Sequence, residues 1–392
     1  MRIAYVAWHG SVHTRRWVGW FAARGHEVHV LTCGDAAAYD LAPDGTTIPK
    51  GYRVHDLGPL AFGKLGYLLK LRRARRLLRE LKPDVVHAHY LTSYGLIALA
   101  SGVRPLVATG HGDDILISPR QSRIFHWIVR RVLTAATLVT VPSEVMATAV
   151  RDLVHGAPRQ PQVDVFQYGV ETLRLATIAR EVRADLASER PVQVVSARAL
   201  LDLYRIDALL DAVALLDQDG LDFELHLLGD GPERQALEAL AAQHGLLASG
   251  RVTFHGAVPA SDVERRIASS DLYVSVSESD GVSLALLEAM ALGAVPVLSD
   301  IAANRDWIVD GLTGVLVPID AAGIAAGIRR SALLDRVAVA EANLALVASR
   351  ADRDTNLTAC EERIDELCGV HFERGASSAD AVPPKKSAED AA

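Results

Sequence analysis

Short runs rich in Val, Ile and Leu alternate with longer amphipathic stretches along most of this 392-residue chain, and the alternation occurs twice. In the first half the apolar runs lie at 3–7, 28–32, 85–88, 106–109 and 138–141, with helical stretches such as 14–24 and 68–81 between them. In the second they lie at 192–196, 224–228, 252–254, 272–275 and 295–298, with helical stretches at 207–216, 232–244, 262–268 and 283–292. Pro232 suits a first helical position and Gly293 the residue just past a helix end. Runs that are apolar throughout belong to strands buried on both faces, and helices between them are the crossovers of a parallel sheet. The pattern predicts an α/β chain of two doubly wound domains, facing each other across a cleft at the carboxyl ends of both sheets. One ordinary core would not serve a chain of this length. The expected divisions are 1–172, 173–350, a helix within 351–370 and a charged, Ala/Ser/Pro-rich tail at 371–392 that reads as disordered.

The densest chemistry lies at 277–300, SESDGVSLALLEAMALGAVPVLSD. This segment leaves a strand, turns through Asp280 and Gly281 and enters a helix near Ser283. The free N–H groups and positive dipole end of a helix start suit a phosphate, and Gly281 lets backbone approach a ligand closely. Glu288, about two helical turns on, is placed to accept hydrogen bonds from sugar hydroxyls. Acid, glycine turn, helix start and second acid together form a cradle for a nucleotide sugar. In the first half, LVATGHGDDI at 106–115 empties a strand into His111, left uncrowded by Gly110 and Gly112 at the cleft edge. Asp113 and Asp114 fit either helix capping or acceptor binding. Asp217-Gln218-Asp219 has the form of a metal-binding pair but closes a helix before Gly220, as ordinary turns do, and no metal is expected.

These motifs resemble the nucleotide-binding half of retaining GT-B glycosyltransferases, the glycosyl-transferases group 1 (GT4-like) family, with its pattern E-G-x-x-x-x-x-L-E-A-M-A-x-G-x-P-V. Here Asp280, Gly281, Leu287-Glu288-Ala289-Met290-Ala291, Gly293 and Pro296-Val297 match, with Asp in place of the first Glu. DWIVDGLTGVLVP at 306–318 extends the match, and the resemblance covers about residues 1–345. It implies two Rossmann-like domains in the GT-B arrangement. Glu288 would bind the donor ribose, and the amides of Gly281, Val282, Ser283 and Leu284 would hold the diphosphate. Asp280, one methylene shorter than the usual Glu, would contact the transferred sugar. Arg198, with Arg205 standing in for a nearby Lys, would neutralise the leaving diphosphate. Gly229 and Gly256 resemble loops beside the nucleotide. His111 would lie near the donor sugar and acceptor, and Gly10, Ser11, His13 and Arg16 resemble the family's opening loop and helix on the acceptor or phosphate side.

The implied reaction is metal-independent transfer, with retention, from a nucleotide-diphospho-sugar to a glycan or lipid-linked acceptor. The donor is a substrate, and no cofactor is expected. Positive groups and dipoles aimed at the departing phosphate would supply catalysis, and that phosphate would take the acceptor proton. A paired-carboxylate glycosidase mechanism is not expected. Two alternatives on the same scaffold stay open: a nucleotide-sugar epimerase or phosphorylase, and a non-catalytic sugar-nucleotide-binding subunit, motivated by Asp280.

Charge is lopsided. Residues 1–170 carry 21 Lys and Arg against 12 Asp and Glu, whereas the remainder carries 20 against 36. Residues 64–82, KLGYLLKLRRARRLLRELK, set eight basic groups against the single Glu80. Tyr67, Leu71, Ala74, Leu77, Leu78 and Leu81 share one arc of that helix. Residues 118–133 start with a Ser-Pro cap and mix Arg120, Arg123, Arg130 and Arg131 with Phe125 and Trp127. Both segments fit docking on an anionic membrane surface, or a Leu arc packed on the sheet beneath a solvated Arg face. Nucleic acid is not expected as a partner. No apolar run reaches the roughly 18 residues of a membrane span, and no leader precedes the first strand, so the expected location is cytoplasmic, with peripheral membrane contact. Cys33, Cys360 and Cys368 lack metal-ligand spacing and read as reduced thiols.

Overall fold

Every one of the ten apolar runs becomes a strand in the computed structural model, which describes residues 1–34, 51–60, 66–187, 190–281 and 283–369. The strands of the first half are β1 Arg2–Val6, β2 Glu27–Thr32, β3 Tyr52–Asp56, β4 Val85–His89, β5 Leu106–Thr109, β6 Leu138–Val141 and β7 Gln162–Val165. Those of the second are β8 Val192–Ala197, β9 Phe223–Leu228, β10 Val252–Gly256, β11 Leu272–Ser275, β12 Val295–Ser299 and β13 Val315–Val317. They form two parallel sheets, ordered β3-β2-β1-β4-β5-β6-β7 and β10-β9-β8-β11-β12-β13. Helices cover both faces of each sheet, so central residues such as Val86, Ala108, Val194 and Val274 are fully buried. In each sheet the strand order reverses beside the first strand, at β1/β4 and β8/β11, which opens a crevice at the carboxyl ends.

The sequence pattern misses β3, β7 and β13. The first two, YRVHD and QVDV, are half-buried edge strands whose solvent side tolerates polar residues, and β13 is only three residues long. Pro232 is not a first helical residue: the helix runs Arg234–Gln243, and Pro232 belongs to the turn before it. The Ser-Pro of the second basic segment opens only a four-residue helix, Ser118–Gln121, and the amphipathic helix Arg123–Ala135 is capped by Ser122 instead. In the helix Gly66–Leu81 the arc from Tyr67 to Leu81 packs into the core of the first sheet. Lys64, Val282 and the tail 371–392 lie outside the described residues.

The chain crosses between sheets twice, and the crossings lie side by side. Val170 donates to Ala351 O and accepts from Arg353 N, both at 2.9 Å, and Thr172 Oγ1 donates to Asp352 Oδ2 at 2.5 Å. Gly169 has φ +68, and a Cβ there would stand 2.7 Å from Arg353 Cα and 2.8 Å from Ala351 O, so a side chain has neither the conformation nor the space. The last helix, Arg353–Cys368, thereby returns to the first sheet. Its Leu357, Cys360 and Ile364 join a core with Ile3, Tyr5, Phe21 and Val28. Glu361 accepts from Arg24 Nε and Nη2 (3.0 and 2.7 Å) and pairs with His26 Nε2 at 2.6 Å.

Burial opposes ionisation of Glu361, but the His26 and Arg24 hydrogen bonds outweigh it and draw the pKa from 4.5 to about 2. A carboxylate with a depressed folded pKa stabilises fully above its unfolded value and loses that contribution as pH falls towards the folded one. We expect Glu361→Gln to cost about 1.5–3 kcal/mol at pH 7 and to speed tryptic cleavage in the last helix. In urea titrations the gap from wild type should narrow below pH 4.5; a constant gap down to pH 3 contradicts the pairing.

Candidate active site

Loops after β8, β9 and β11, adjacent in the second sheet, build one wall of the crevice. Gly229 follows β9 with φ +145, and a Cβ there would lie 2.1 Å from Arg198 O, so these two loops pack backbone against backbone. Gly229 N donates to Gly256 O at 2.9 Å, which joins the end of β10 to the same wall. Arg198 follows β8, is 8% exposed, and donates to Ser283 Oγ through Nη1 and to Asp280 Oδ2 through Nη2, both at 2.6 Å. Its guanidinium lies 3.9 Å from the centre of the Tyr204 ring, and its buried Nε has no hydrogen-bond partner among the described residues. Asp280 Oδ1 accepts from Gly281 N at 2.9 Å. Ser283 caps the helix Leu284–Ala291 by accepting from Leu286 N, and Leu284 and Ala285, whose first-turn amides have no acceptor within a helix, line the crevice at the positive end of the dipole.

Opposite stands the first helix of the first domain, Val12–Ala23. Val12, Arg15 and Arg16 join Arg198, Gly229, Leu284, Ala285 and Glu288 around a cavity of about 850 Å³, large enough for a nucleotide sugar. Arg16 Nη2 reaches Glu288 Oε1 across the crevice at 3.1 Å. Burial pushes the Glu288 carboxyl up, and Arg16 pulls against it. Nearby, Glu264 lines the cavity and is held by Arg174 through two contacts of 2.7 and 2.6 Å.

His111, at the end of β5, is clamped between two tyrosines. The Tyr90 ring stacks on it at 4.7 Å and 13°, and Tyr168 covers the other face at 5.2 Å and 24°. Tyr168 donates its hydroxyl to Gly110 O at 2.8 Å, and Tyr90 holds a left-handed φ of +69, a strained conformation for a residue with a side chain. Asp114, fully buried, accepts from the amides of Leu91, His111 and Gly112 at 2.9–3.1 Å, so it ties the β4 and β5 loops together. Beneath His111 lie His89 (5.1 Å between ring centres) and then His87, while His13 packs 5.9 Å to its side and 4.7 Å from Tyr168. The His111 carbonyl lies 3.9 Å from where a Cβ on Gly281 would stand, so the two loops face each other across the domain gap.

Arg198, Gly229, Leu284, Glu288 and Arg16 therefore line one cavity; Asp280 and Ser283 hold Arg198 beside it; Gly256 backs Gly229; and His111 and His13 sit next to it under the tyrosines. Ser11 begins the first helix without a side-chain cap, and Gly10 folds against the Trp8 ring. The structure does not bring Arg205 into the cavity: Asp207 takes its Nε and Nη2, and Glu278 its Nη1, at 3.0–3.1 Å. Asp217 pairs with Arg251 and Asp219 with Arg329, at the amino end of the sheet, away from the crevice. Sequence reasoning missed Tyr90, Tyr168, Tyr204, Glu264 and Arg174. Only Tyr90 carries a local signal, as the first residue after β4 just as His111 stands just after β5.

Residues 2–143 match the family described as glycosyl transferase 4-like, and residues 191–333 that described as glycosyl transferases group 1. The chain is 27% identical to glycogen synthase of Mycobacterium tuberculosis, over 87% of this chain and 88% of that protein. It is 30% identical to phosphatidyl-myo-inositol mannosyltransferase of Mycolicibacterium smegmatis, over 78% of this chain and 76% of that one. Among solved structures, Anabaena HepE in complex with UDP aligns with a TM-score of 0.72, at 22% identity, over 94% of this chain and 100% of that chain.

Burial keeps the imidazoles under the site neutral. It lowers His13, with help from Arg16, to about 4 and His87, with help from His111, to about 3, and it depresses His89 and His111 well below 6.5. Between 6.5 and the folded values the unfolded chain takes up these protons and the native chain does not, so stability falls as pH falls through that window. Each such histidine steepens the loss by up to about 1.4 kcal/mol per pH unit well below 6.5. Urea unfolding should show falling stability from pH 7 to 5, and His89→Leu should flatten the slope. A slope unchanged by that substitution contradicts a buried, neutral His89.

Proposed function

The chain belongs to the GT4-like group 1 glycosyl transferases, and we propose that it moves a sugar from a nucleotide-diphospho-sugar onto a glycan or lipid-linked acceptor. The transfer retains anomeric configuration and uses no metal ion. The observation that carries this reading is Arg198, buried beside the first turn of Leu284–Ala291 at the edge of the 850 Å³ cavity, with an Nε that has no partner among the described residues. When the anomeric C–O bond breaks, negative charge grows on the diphosphate. A fixed guanidinium and the helix-start amides meet that charge without reorganising, so they lower the barrier more than they strengthen donor binding. Glu288 accepts from the ribose hydroxyls, and the departing phosphate takes the acceptor proton. Asp280 serves chiefly to hold Arg198 in place, with one oxygen on Arg198 and the other on Gly281 N. His111 lines the sugar side.

A thermal-shift screen with UDP, GDP and ADP assigns the base, since binding to the native state raises its stability. With the matching donor sugars, transfer should persist in EDTA, and Arg198→Ala should lower kcat by at least about tenfold, roughly 1.4 kcal/mol, with a smaller change in KM. Loss of activity in EDTA with recovery on adding Mn²⁺ or Mg²⁺ overturns metal independence, and a kcat within about twofold of wild type overturns the role of Arg198. Turnover of a nucleotide sugar with no acceptor present favours the epimerase reading.

A lipid-linked acceptor is supported by one surface. The helices Gly66–Leu81 and Arg123–Ala135 both start at the carboxyl end of the first sheet. Near those starts Leu68, Leu69, Ile124 and Trp127 are 49, 66, 70 and 60% exposed. Exposed Arg72, Arg73, Arg75, Arg76 and Arg79 follow along the first helix. Apolar side chains beside a cationic field suit an anionic bilayer, each cation near it contributing about 1 kcal/mol. Among the described residues no helix is long and apolar enough to cross a membrane. The protein should float with anionic liposomes at low salt, less at high salt, and not at all after Arg72, Arg73, Arg75 and Arg76 become Gln. Absence of flotation on any composition points to a soluble acceptor.

A further inference from the structure

Among the arginines paired with carboxylates at the crevice and on the last helix, one is held differently. Arg198 spreads its two Nη atoms over Asp280 and Ser283 at 2.6 Å. Arg24 meets Glu361 through two nitrogens, and Arg174 grips Glu264 with both ends of its fork at 2.6 and 2.7 Å. Arg16 touches Glu288 through a single contact of 3.1 Å, and this is the pair that spans the two domains inside the cavity. A guanidinium has five donors, and a single long contact is the weakest way to hold one. Glu288 is 13% exposed at its side chain, so its charge needs a partner whenever the site is empty.

We infer that Arg16 is a donor-phosphate residue held in reserve by Glu288: the nucleotide's ribose hydroxyls take over Glu288, and the freed guanidinium turns to the diphosphate. The inference rests on reading the cavity as a nucleotide-sugar site. The exchange needs both halves of one ligand. Phosphate alone would draw Arg16 away and strand a buried carboxylate, and a nucleoside alone would displace Arg16 with no anion to receive it. A nucleoside diphosphate answers both needs at once. Arg16 stands on the first helix of the first domain and the first-turn amides of Leu284 and Ala285 on the second, so the exchanged arginine would also draw the domains onto the donor. The free chain already holds Arg16 at the cavity on Glu288, which prepays part of the side-chain ordering on binding.

The test compares a nucleoside with its diphosphate, using whichever base of uridine, guanosine and adenosine the wild type prefers, by titration calorimetry on the full chain. In Arg16→Gln the ratio of diphosphate to nucleoside affinity should fall by at least about fivefold, because the diphosphate loses a charge-assisted contact while Glu288 is freed for the ribose. Nucleoside binding by the variant itself reports that the cavity is folded. Glu288→Gln should move the ratio the other way, since the nucleoside loses its carboxylate and Arg16 is released for phosphate. A ratio that falls less than fivefold in Arg16→Gln, or that does not rise in Glu288→Gln, overturns the exchange while leaving the nucleotide site intact. Failure of the wild type to bind any nucleoside diphosphate overturns the site and the exchange together.

Discussion

The relation of the two sheets to each other depends on a short stretch of backbone pairing between the two segments that cross from one to the other. Val170 exchanges hydrogen bonds with Ala351 and Arg353, and Gly169 leaves the room they need. That seam places Leu284, the first residue of the helix Leu284–Ala291, against the cores of both domains. It also sets His111 opposite Gly281 and Arg16 opposite Glu288, pairs that no local interaction within one domain could align. A movement that keeps the seam is a rotation about it, so opening and closing would act mainly on contacts on the far side of the crevice. Arg16 lies beside the seam, sharing a small pocket with Tyr168, Leu284 and Arg353, and the last helix, pinned by Arg24 and His26 on Glu361, moves with the first sheet.

Charge in the crevice is arranged as arginine–carboxylate pairs because a half-buried site cannot hold either sign alone. Arg198 sits on Asp280, Arg16 on Glu288 and Arg174 on Glu264. The Asp at position 280, where the family commonly has Glu, gains a physical reason from this. Its short side chain spans from Gly281 N to Arg198 Nη2 at 2.9 and 2.6 Å, a bridge that an extra methylene would have to fold back to make. On the proposed function, the Asp would trade reach towards a sugar for a firmer hold on the cation beside the leaving group. In the proposed reaction Arg198, stacked on Tyr204 and hydrogen-bonded to Ser283, would lose little entropy when a phosphate arrives.

Strands buried on both faces were legible because every residue in them must be apolar, whereas β3 and β7, wet on one side, carry His, Arg, Asp and Gln and leave no such run. The segment from Asp280 to Val297 was legible as turn, helix and strand because a glycine turn, a helix start and two acids lie within one continuous stretch. Arg16 and Glu288 stand 272 positions apart and Tyr168 stands 57 from His111, so their contacts follow from strand order, which periodicity does not reveal. The helix 353–368 could be seen as a helix, but its choice of sheet could not, since Glu361 finds Arg24 and His26 more than 300 positions upstream. Pro232 misled because a proline fits a tight turn as well as a helix start.

The stack of rings under the site shows why His111 is neutral and why that matters to the proposed chemistry. Tyr90 and Tyr168 fix the imidazole plane, His89 and His87 fill the space beneath it, and several of their nitrogens are buried without partners among the described residues. Unpaired buried nitrogens are costly, and phenyl rings would pack there at less expense. What the imidazoles supply is a desolvated environment of modest polarity that holds His111 uncharged, with burial the main cause and His89 and His13 adding to it. A sugar losing its leaving group carries positive charge at the anomeric carbon. An imidazolium beside it would repel that charge, whereas a neutral ring would not, and the His111 carbonyl lies 3.9 Å from where a Cβ on Gly281 would stand. Negative charge gathers on the opposite side, at Arg198 and the helix start. The two walls are thereby polarised in the sense that separating a sugar cation from a diphosphate demands.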